Sequence, residues 1–348
     1  MQKEVTVCTH DFAPGREGIS NTITLLLNHF SNHPKWNITL HDISRSHKLH
    51  FSRSHISYGL SFLPIGLFLT RFLQSRSDLM HILGSLTGRI YINLLKEGPI
   101  LLTNSSAIDE ARVGQCRKWW GKITRLVVEC TRDQLRVLDY GFTPSKVSLV
   151  YPALDLNRFS YHPPPERFTI GFASSPISND SLGIQKRGVD LLLSVAREFS
   201  DIQFVLLWRG KHLHQLRTLT QNIPNSNVTI INTILPDMDK FYATVNCTIL
   251  PVTFMDDCKP CPNSIMESLS AGKPALVSDQ VGIADLVSNS GSGLVFKPDR
   301  DHLIPTIYEM RNNYWKYQAT ARMTAERYFS VPTFFGAYTD IYNELTQP

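Results

Sequence analysis

One stretch, residues 259–287 (KPCPNSIMESLSAGKPALVSDQVGIADLV), constrains the fold more than any other part of the chain. The apolar run CTILPV at 247–252 precedes it and reads as a buried strand. Pro262 ends a loop, and Asn263 is placed as the N-cap of a helix. Ile265, Met266, Leu269 and Ala271 recur at helical spacing, and Gly272 stands at the stop. Ala275, Leu276 and Val277 make a second short strand. Strand, loop, short helix and strand form half of a nucleotide-binding α/β domain. Ligands of such domains lie at the carboxyl ends of parallel strands and before helix N-termini. Glu267 sits inside the helix, about one turn from its start. A carboxylate there can accept two hydroxyl donors at once, as a ribose diol requires. A solvated helix glutamate is the competing reading.

With 348 residues the chain has length for two domains, each with its own core. Hydrophobic content of 42% with 19% charged residues excludes a disordered or fibrous protein. A net charge of +5 is too mild and diffuse to argue for a nucleic-acid partner. Cys8, Cys116, Cys130, Cys247, Cys258 and Cys261 are scattered, as in a reduced, cytosolic protein. The opening MQKEVTVCTHDF lacks the apolar core of a signal peptide, and no apolar stretch reaches the length of a membrane span. A cytoplasmic location is expected, with membrane association left open by residues 41–73. Within 41–55 (HDISRSHKLHFSRSH), Arg45, Lys48, Arg53 and four histidines accompany a single Asp42. The spacings match no metal-ligand set, so this tract reads as a solvated basic loop. Residues 58–73 (YGLSFLPIGLFLTRFL) are strongly apolar and interrupted by Pro64. They make either a core helix or a segment that dips into a membrane interface beside basic residues, giving peripheral membrane contact.

Strand and helix signals alternate in two halves. The pattern predicts an α/β chain with two doubly wound, Rossmann-like lobes facing a cleft. Residues 1–160 form the first lobe, 166–325 the second, and 326–348 a terminal helix. The proline-rich YHPPP at 161–165 reads as the linker. Near the start, a strand at 5–8 leads through a turn-rich loop to a helix, with Gly18 at the junction. Such a junction presents backbone N–H groups to a phosphate or sugar, or is only a tight turn. In the second half, Lys186-Arg187-Gly188 falls at a helix start. Two cations beside a helix N-terminus suit a diphosphate; a basic surface loop is the alternative. Cys258-x-x-Cys261 is a lone pair and reads as two thiols rather than a zinc site.

The run PNSIMESLSAGKPALVSD followed by VGIADLV resembles the donor-site signature of the retaining GT-B glycosyltransferases of the glycosyltransferase family 4 type. That signature is E-A-x-A-x-G-x-P-V followed by G-G-x-x-E, and Asp285 stands at its last Glu. DLMH at 78–81 is similar to the family's D-V-V-H, and VSLVYPALDLNRF at 147–159 to V-x-V-I-x-N-G-V-D-x-x-x-F. Glu17-Gly18-Ile19 stands where G-G-I is usual. The resemblance implies transfer of a hexosyl group, with retention, from a UDP- or GDP-linked sugar to an acceptor hydroxyl. The acceptor would be a glycan, a lipid-linked compound or a small molecule, and neither metal nor cofactor would be needed. Lys186 and Arg187 would stabilise the leaving diphosphate, and Glu267 would hold the ribose. Asn263 and Ser264, with the N–H groups at their helix start, would contact phosphates or the donor sugar. Gly282 would let the backbone approach the donor.

Several positions depart from the family. Ala173-Ser174 replaces a G-R pair, and Asn104-Ser105-Ser106 stands where a histidine usually follows the strand at 100–103. Asn104 or Ser105 would still hydrogen-bond a sugar hydroxyl, without supplying a charge. Lys259 replaces the first of two glutamates, against the donor sugar. These departures keep two more readings open: a catalytically inactive nucleotide-sugar binder, and a GT-B epimerase acting on the nucleotide sugar itself.

Overall fold

Val5, Val7 and Cys8 are almost wholly buried in β1 (Lys3–His10), the strand around which the first sheet of this computed structural model is laid. The structure describes residues 2–347 apart from 11, 13–17, 31–32, 45–49, 53, 60–62, 85–88, 97, 175–181, 209–211, 222–226 and 256–257. After β1 come α1 (Gly18–Phe30), β2 (Trp36–Ser44), β3 (His50–Phe51), β4 (His55–Gly59) and α2 (Leu63–Gln74). Next are β5 (Leu79–Gly84), α3 (Arg89–Leu94), β6 (Ile100–Asn104), α4 (Glu110–Cys116), β7 (Arg125–Val128), α5 (Thr131–Asp139) and β8 (Val147–Leu149). The strand order is β3-β4-β2-β1-β5-β6-β7-β8, parallel except for the β3–β4 pair. β5 and β6 are buried along their whole length, as a parallel sheet covered on both faces requires. On α1, Ile23, Leu26 and Phe30 supply a fully buried stripe at helical spacing.

Residues 41–55, expected as a solvated loop, are strand at both ends. His41 and Asp42 are buried in β2, and His55 Nε2 lies 2.6 Å from Asp42 Oδ1. The reason is sheet pairing: β2 runs parallel to β4, with Leu40 opposite His55, and a buried strand must find a backbone partner. Residues 45–49 and 53 of that tract lie outside the described residues. Pro64 does not break α2. It falls in the first helical turn, where a missing N–H costs nothing.

The second sheet begins with β9 (Thr169–Ala173), followed by α6 (Gly183–Lys186), α7 (Val189–Ala196), β10 (Gln203–Leu207), α8 (Leu213–Gln221), β11 (Val228–Ile231) and α9 (Asp239–Ala243). The chain continues through β12 (Cys247–Leu250), α10 (Asn263–Ser270), β13 (Ala275–Ser278), α11 (Ala284–Asn289), β14 (Gly293–Phe296), α12 (Arg300–Asn312) and α13 (Tyr314–Tyr328). All its pairs are parallel, in the order β11-β10-β9-β12-β13-β14. The winding reverses between β9 and β12, the doubly wound arrangement expected from the alternating signals. The last helix is α14 (Val331–Leu345).

The chain divides into two units, residues 1–152 with 332–348, and residues 153–331. The proline-rich 161–165 therefore lies inside the second unit rather than between the two. Its approach is fastened by charged groups. Ser160 N–H donates to Asp239 Oδ1 (3.0 Å), and His162 Nε2 lies 2.8 Å from Asp239 Oδ2. Lys273 Nζ, on a side chain almost fully buried, donates to His162 O (2.9 Å); burial lowers its pKa to about 8. Arg322 Nη1 bonds the carbonyls of Leu156, Phe159 and Ser270. Leu154 N–H donates to Phe329 O (2.9 Å), so entry and exit of this unit meet. In the first unit, α14 closes on β5 and β6. His81 is wholly buried, with Nδ1 2.8 Å from Tyr342 Oη and Nε2 2.9 Å from Thr103 Oγ1. Thr103 Oγ1 also meets Tyr338 Oη at 2.9 Å. Burial lowers the pKa of His81 to about 3, so the ring is a neutral structural member.

Candidate functional site

Lys186 ends α6, Arg187 follows it, and Gly188 caps the start of α7 in the left-handed region (φ 67°). Only glycine fits there, because a Cβ would lie 1.7 Å from the carbonyl oxygen of Pro251. That close approach seats 186–188 on the segment leaving β12. Thr253 N–H donates to Lys186 O (3.0 Å), and Thr253 Oγ1 to Gln185 O (2.8 Å). On the other side, Arg187 is 6% exposed and its Nη1 donates to Ser174 Oγ (2.8 Å), just past β9. Both cations thus sit at the carboxyl ends of β9 and β12, where the winding reverses and doubly wound sheets bind ligands. Lys186 belongs to the helix before the one expected to carry it.

α10 presents the next group. Asn263 is not its N-cap. Pro262, extended at φ −71° and ψ 131°, holds that position, and its carbonyl accepts from Ile265 (3.1 Å) and Met266 (3.2 Å). Proline's fixed φ suits the entry and makes Asn263 the first helical residue. Ile265, Met266 and Leu269 are fully buried, whereas Asn263, Ser264 and Glu267 are half-buried on the opposite side. The helix ends in a Schellman motif: Gly272 (φ 71°) donates to Leu269 O (3.0 Å), and Lys273 N–H to Ser268 O (2.9 Å). Ser268 Oγ also accepts from Thr248 Oγ1 (2.7 Å), which ties α10 to β12.

Glu267 Oε2 accepts the hydroxyl of Tyr242 at 3.0 Å, and the same hydroxyl lies 3.1 Å from Ser264 O. Tyr242 is fully buried on α9. Burial first, then the Glu267 charge and their hydrogen bond, push its pKa well above the ordinary value. The phenol stays a donor, and it orients the carboxylate. Nothing in the spacing of 241–243 marks Tyr242 for this task; nor does the sequence mark Ser174 as the partner of the Arg187 guanidinium or Thr253 as the partner of the Lys186 backbone. Gly282 does admit a close backbone, but the neighbour is Pro260, whose carbonyl oxygen would be 2.3 Å from a Cβ. That contact joins the loop of Lys259, itself half-buried between buried Cys258 and Cys261, to the loop after β13. Asp285, in the first turn of α11, keeps Oδ1 buried with no hydrogen-bond partner among the described residues.

Lys186, Arg187, Lys259, Asn263, Ser264, Glu267 and Gly282 are thus all carried by the second unit, on the loops and helices that follow its strands. Gly18 and Asn104 belong to the first. Gly18 is the first residue of α1, and 13–17 before it lie outside the described residues. Asn104, wholly buried at the end of β6, donates from Nδ2 to Ser106 O (2.5 Å) and accepts from Ser106 Oγ (3.3 Å). Its amide braces the loop it begins.

Two doubly wound units of this kind recur in solved structures over nearly the full chain. The apo lipopolysaccharide outer core galactosyltransferase WaaB superposes with a TM-score of 0.79 at 16% identity, covering 98% of this chain and 99% of its own. Sucrose-phosphate synthase from Thermosynechococcus elongatus gives 0.75 at 14% identity, over 99% of both chains. This is the GT-B fold. Another GT-B structure, HepE from Anabaena in complex with UDP-glucose, gives 0.74 at 12% identity, covering 99% of this chain and all (100%) of its own. Residues 177–313 match the family described as glycosyl transferases group 1. The matched segment spans every site position of the second GT-B unit, from Lys186 to Asp285. No curated protein matches the chain in sequence. Among the described residues, no helix is long and apolar enough to cross a membrane.

Proposed function

We propose that this chain is a retaining glycosyltransferase of the family 4 type, moving a sugar from a UDP- or GDP-linked donor to an acceptor hydroxyl. One observation carries the reading: Lys186 and Arg187 are fixed where β9 and β12 diverge, inside the segment that matches group 1 glycosyltransferases. Transfer of this kind needs the leaving diphosphate stabilised as its charge develops, and two cations carried on an anchored turn supply that. The N–H groups opening α10, beside Asn263 and Ser264, add donors. Glu267, oriented by Tyr242, holds the ribose diol. Lys259 and Gly18 complete the proposed contacts, whereas Gly282 acts through Pro260, which it seats beside Lys259, and Asn104 through the loop that its amide braces. The complex of HepE with UDP-glucose supports a nucleotide-sugar donor for this fold. A lipid-linked acceptor would bring residues 41–73 to a bilayer surface, whereas a free glycan or small molecule would not.

A second reading has one observation in its favour. Ser174 stands where the family carries an arginine, and its hydroxyl accepts from Arg187. A site one cation short would bind a nucleotide sugar without turning it over. A thermal-shift screen of nucleotide sugars tests both readings. A donor at about 100 times its dissociation constant adds about 2.7 kcal/mol of stability. Product analysis then separates transfer or hydrolysis from binding alone. No stabilisation by any UDP- or GDP-sugar defeats both.

A further inference from the structure

Among the described side chains of α2, two large aromatic ones face outward. Its inward side carries Gly66 and Thr70, both buried; Thr70 Oγ1 donates to Gly66 O (2.9 Å) and lies 3.4 Å from His41 Nδ1. Its outward side carries Phe68, 72% exposed, and Phe72, 44% exposed. Four residues apart, the two rings share one face. Cations border them. The Arg76 guanidinium sits 4.3 Å from the centre of the Phe72 ring, and Arg71 is exposed while its Nε donates to Leu94 O (3.1 Å). Gln74 exchanges hydrogen bonds with the backbone of Lys96, which places a third exposed cation beside the end of the helix. From 43 to 77 the sequence contains Arg45, Lys48, Arg53, Arg71 and Arg76 and no Asp or Glu. The carboxylates that bound this run in sequence are committed, Asp42 to His55 and Asp78 to Lys3, and Glu97 follows Lys96.

Two aromatic rings flanked by arginines, with no anion in the tract, match the chemistry of a headgroup layer. Rings enter the apolar boundary while long cationic side chains reach lipid phosphates. We propose that the outer face of α2 docks on an anionic lipid bilayer, with Phe68 and Phe72 as the inserted anchors and Arg71, Arg76 and Lys96 as the phosphate contacts. This proposal does not depend on the transferase reading, because it concerns a surface of the first unit and requires no donor.

Co-sedimentation with phosphatidylglycerol-containing vesicles, and with pure phosphatidylcholine vesicles, tests it. The intact protein is expected to pellet with the former at low salt and to be released as salt rises. The Phe68→Ser/Phe72→Ser variant should partition at least roughly tenfold less. Its unchanged melting temperature would show that the loss is not unfolding. Arg71→Gln/Arg76→Gln should lose roughly tenfold on anionic vesicles only. The proposal is overturned by absence of binding to anionic vesicles at low salt, by equal binding to both vesicle types, or by undiminished binding of the double Phe variant. A dimer in sedimentation velocity that the Phe variant abolishes would assign the face to a second copy instead. Nucleotide-sugar affinity, measured without vesicles, reports on the transferase reading separately.

Discussion

The hydroxyl of Tyr242 lies 3.0 Å from Oε2 of Glu267, joining two helices through residues 25 apart in sequence. In the proposed donor site, Glu267→Ala would remove charge-assisted hydrogen bonds to a ribose, worth roughly 1.5–3 kcal/mol each. Donor affinity should fall at least about tenfold, read by calorimetry. The donor-free protein should stay folded, because the Tyr242 hydroxyl keeps Ser264 O as an acceptor. Unchanged affinity in a folded variant removes Glu267 from the donor site.

Tyr242→Phe keeps the ring and deletes the donor. It should lower stability by about 0.5–1.5 kcal/mol, the net worth of a typical internal hydrogen bond. Donor affinity should fall less than in Glu267→Ala, since the carboxylate remains and only its orientation loosens. A loss equal to that of Glu267→Ala would mean that Tyr242 touches the ligand directly.

The two cations are separable from general basicity. Lys186→Ala combined with Arg187→Ala should weaken binding of a nucleoside diphosphate far more than binding of the nucleoside, since the lost donors aim at phosphate oxygens. Arg187 is buried, so its loss should also lower the melting temperature; Lys186→Ala alone should not. Equal losses for both ligands would show that 186–187 does not hold the diphosphate.

Glycine substitutions should act with opposite signs. Gly188→Ala forces a Cβ against Pro251 O at φ 67° and should cost at least about 2 kcal/mol. Gly114 lies within α4, where a Cβ meets nothing within 4 Å. Gly114→Ala should stabilise by about 0.5–1 kcal/mol. Thermal unfolding of the two variants checks both.

Two buried histidines set an acid limit. Burial lowers the pKa of His81 to about 3 and of His41 to about 4, from an ordinary 6.5. Their folded values lie below the unfolded one, so the unfolded chain binds more protons in between. Their contribution is fully present above 6.5 and is lost as pH falls toward the folded values. Each histidine adds a slope of up to about 1.4 kcal/mol per pH unit. His81→Gln should remove one such slope from urea-unfolding stabilities measured from neutral pH down to about 5. An unchanged slope would show that His81 is not buried as a neutral ring.

Much of the second unit was legible in the chain itself. The strand at 247–250, the helix after Pro262, the stop at Gly272 and the strand after Lys273 follow from apolar spacing and from the residues that begin and end helices, which are local signals. The same locality set Lys186 and Arg187 just before α7 and Glu267 on α10. It failed where partners are distant. Residues 41–44 and 55 looked solvated because their polarity is visible in the sequence and the β2–β4 pairing is not. Residues 161–165 looked like a linker because Asp239, Lys273 and Arg322, which fasten the backbone from Phe159 to His162, come much later in the chain.

By itself the sequence determined that the chain alternates strands and helices, that it winds twice, and which loops carry cations, a carboxylate and obligatory glycines. Tertiary structure alone decided that Arg187 meets Ser174, that Tyr242 orients Glu267, that Gly282 makes room for Pro260, and that α2 turns Phe68 and Phe72 outward. The division has a physical cause. Periodicity and capping depend on neighbours within a turn or two, whereas side-chain partners depend on strand order and register, which bring together residues that no local pattern relates.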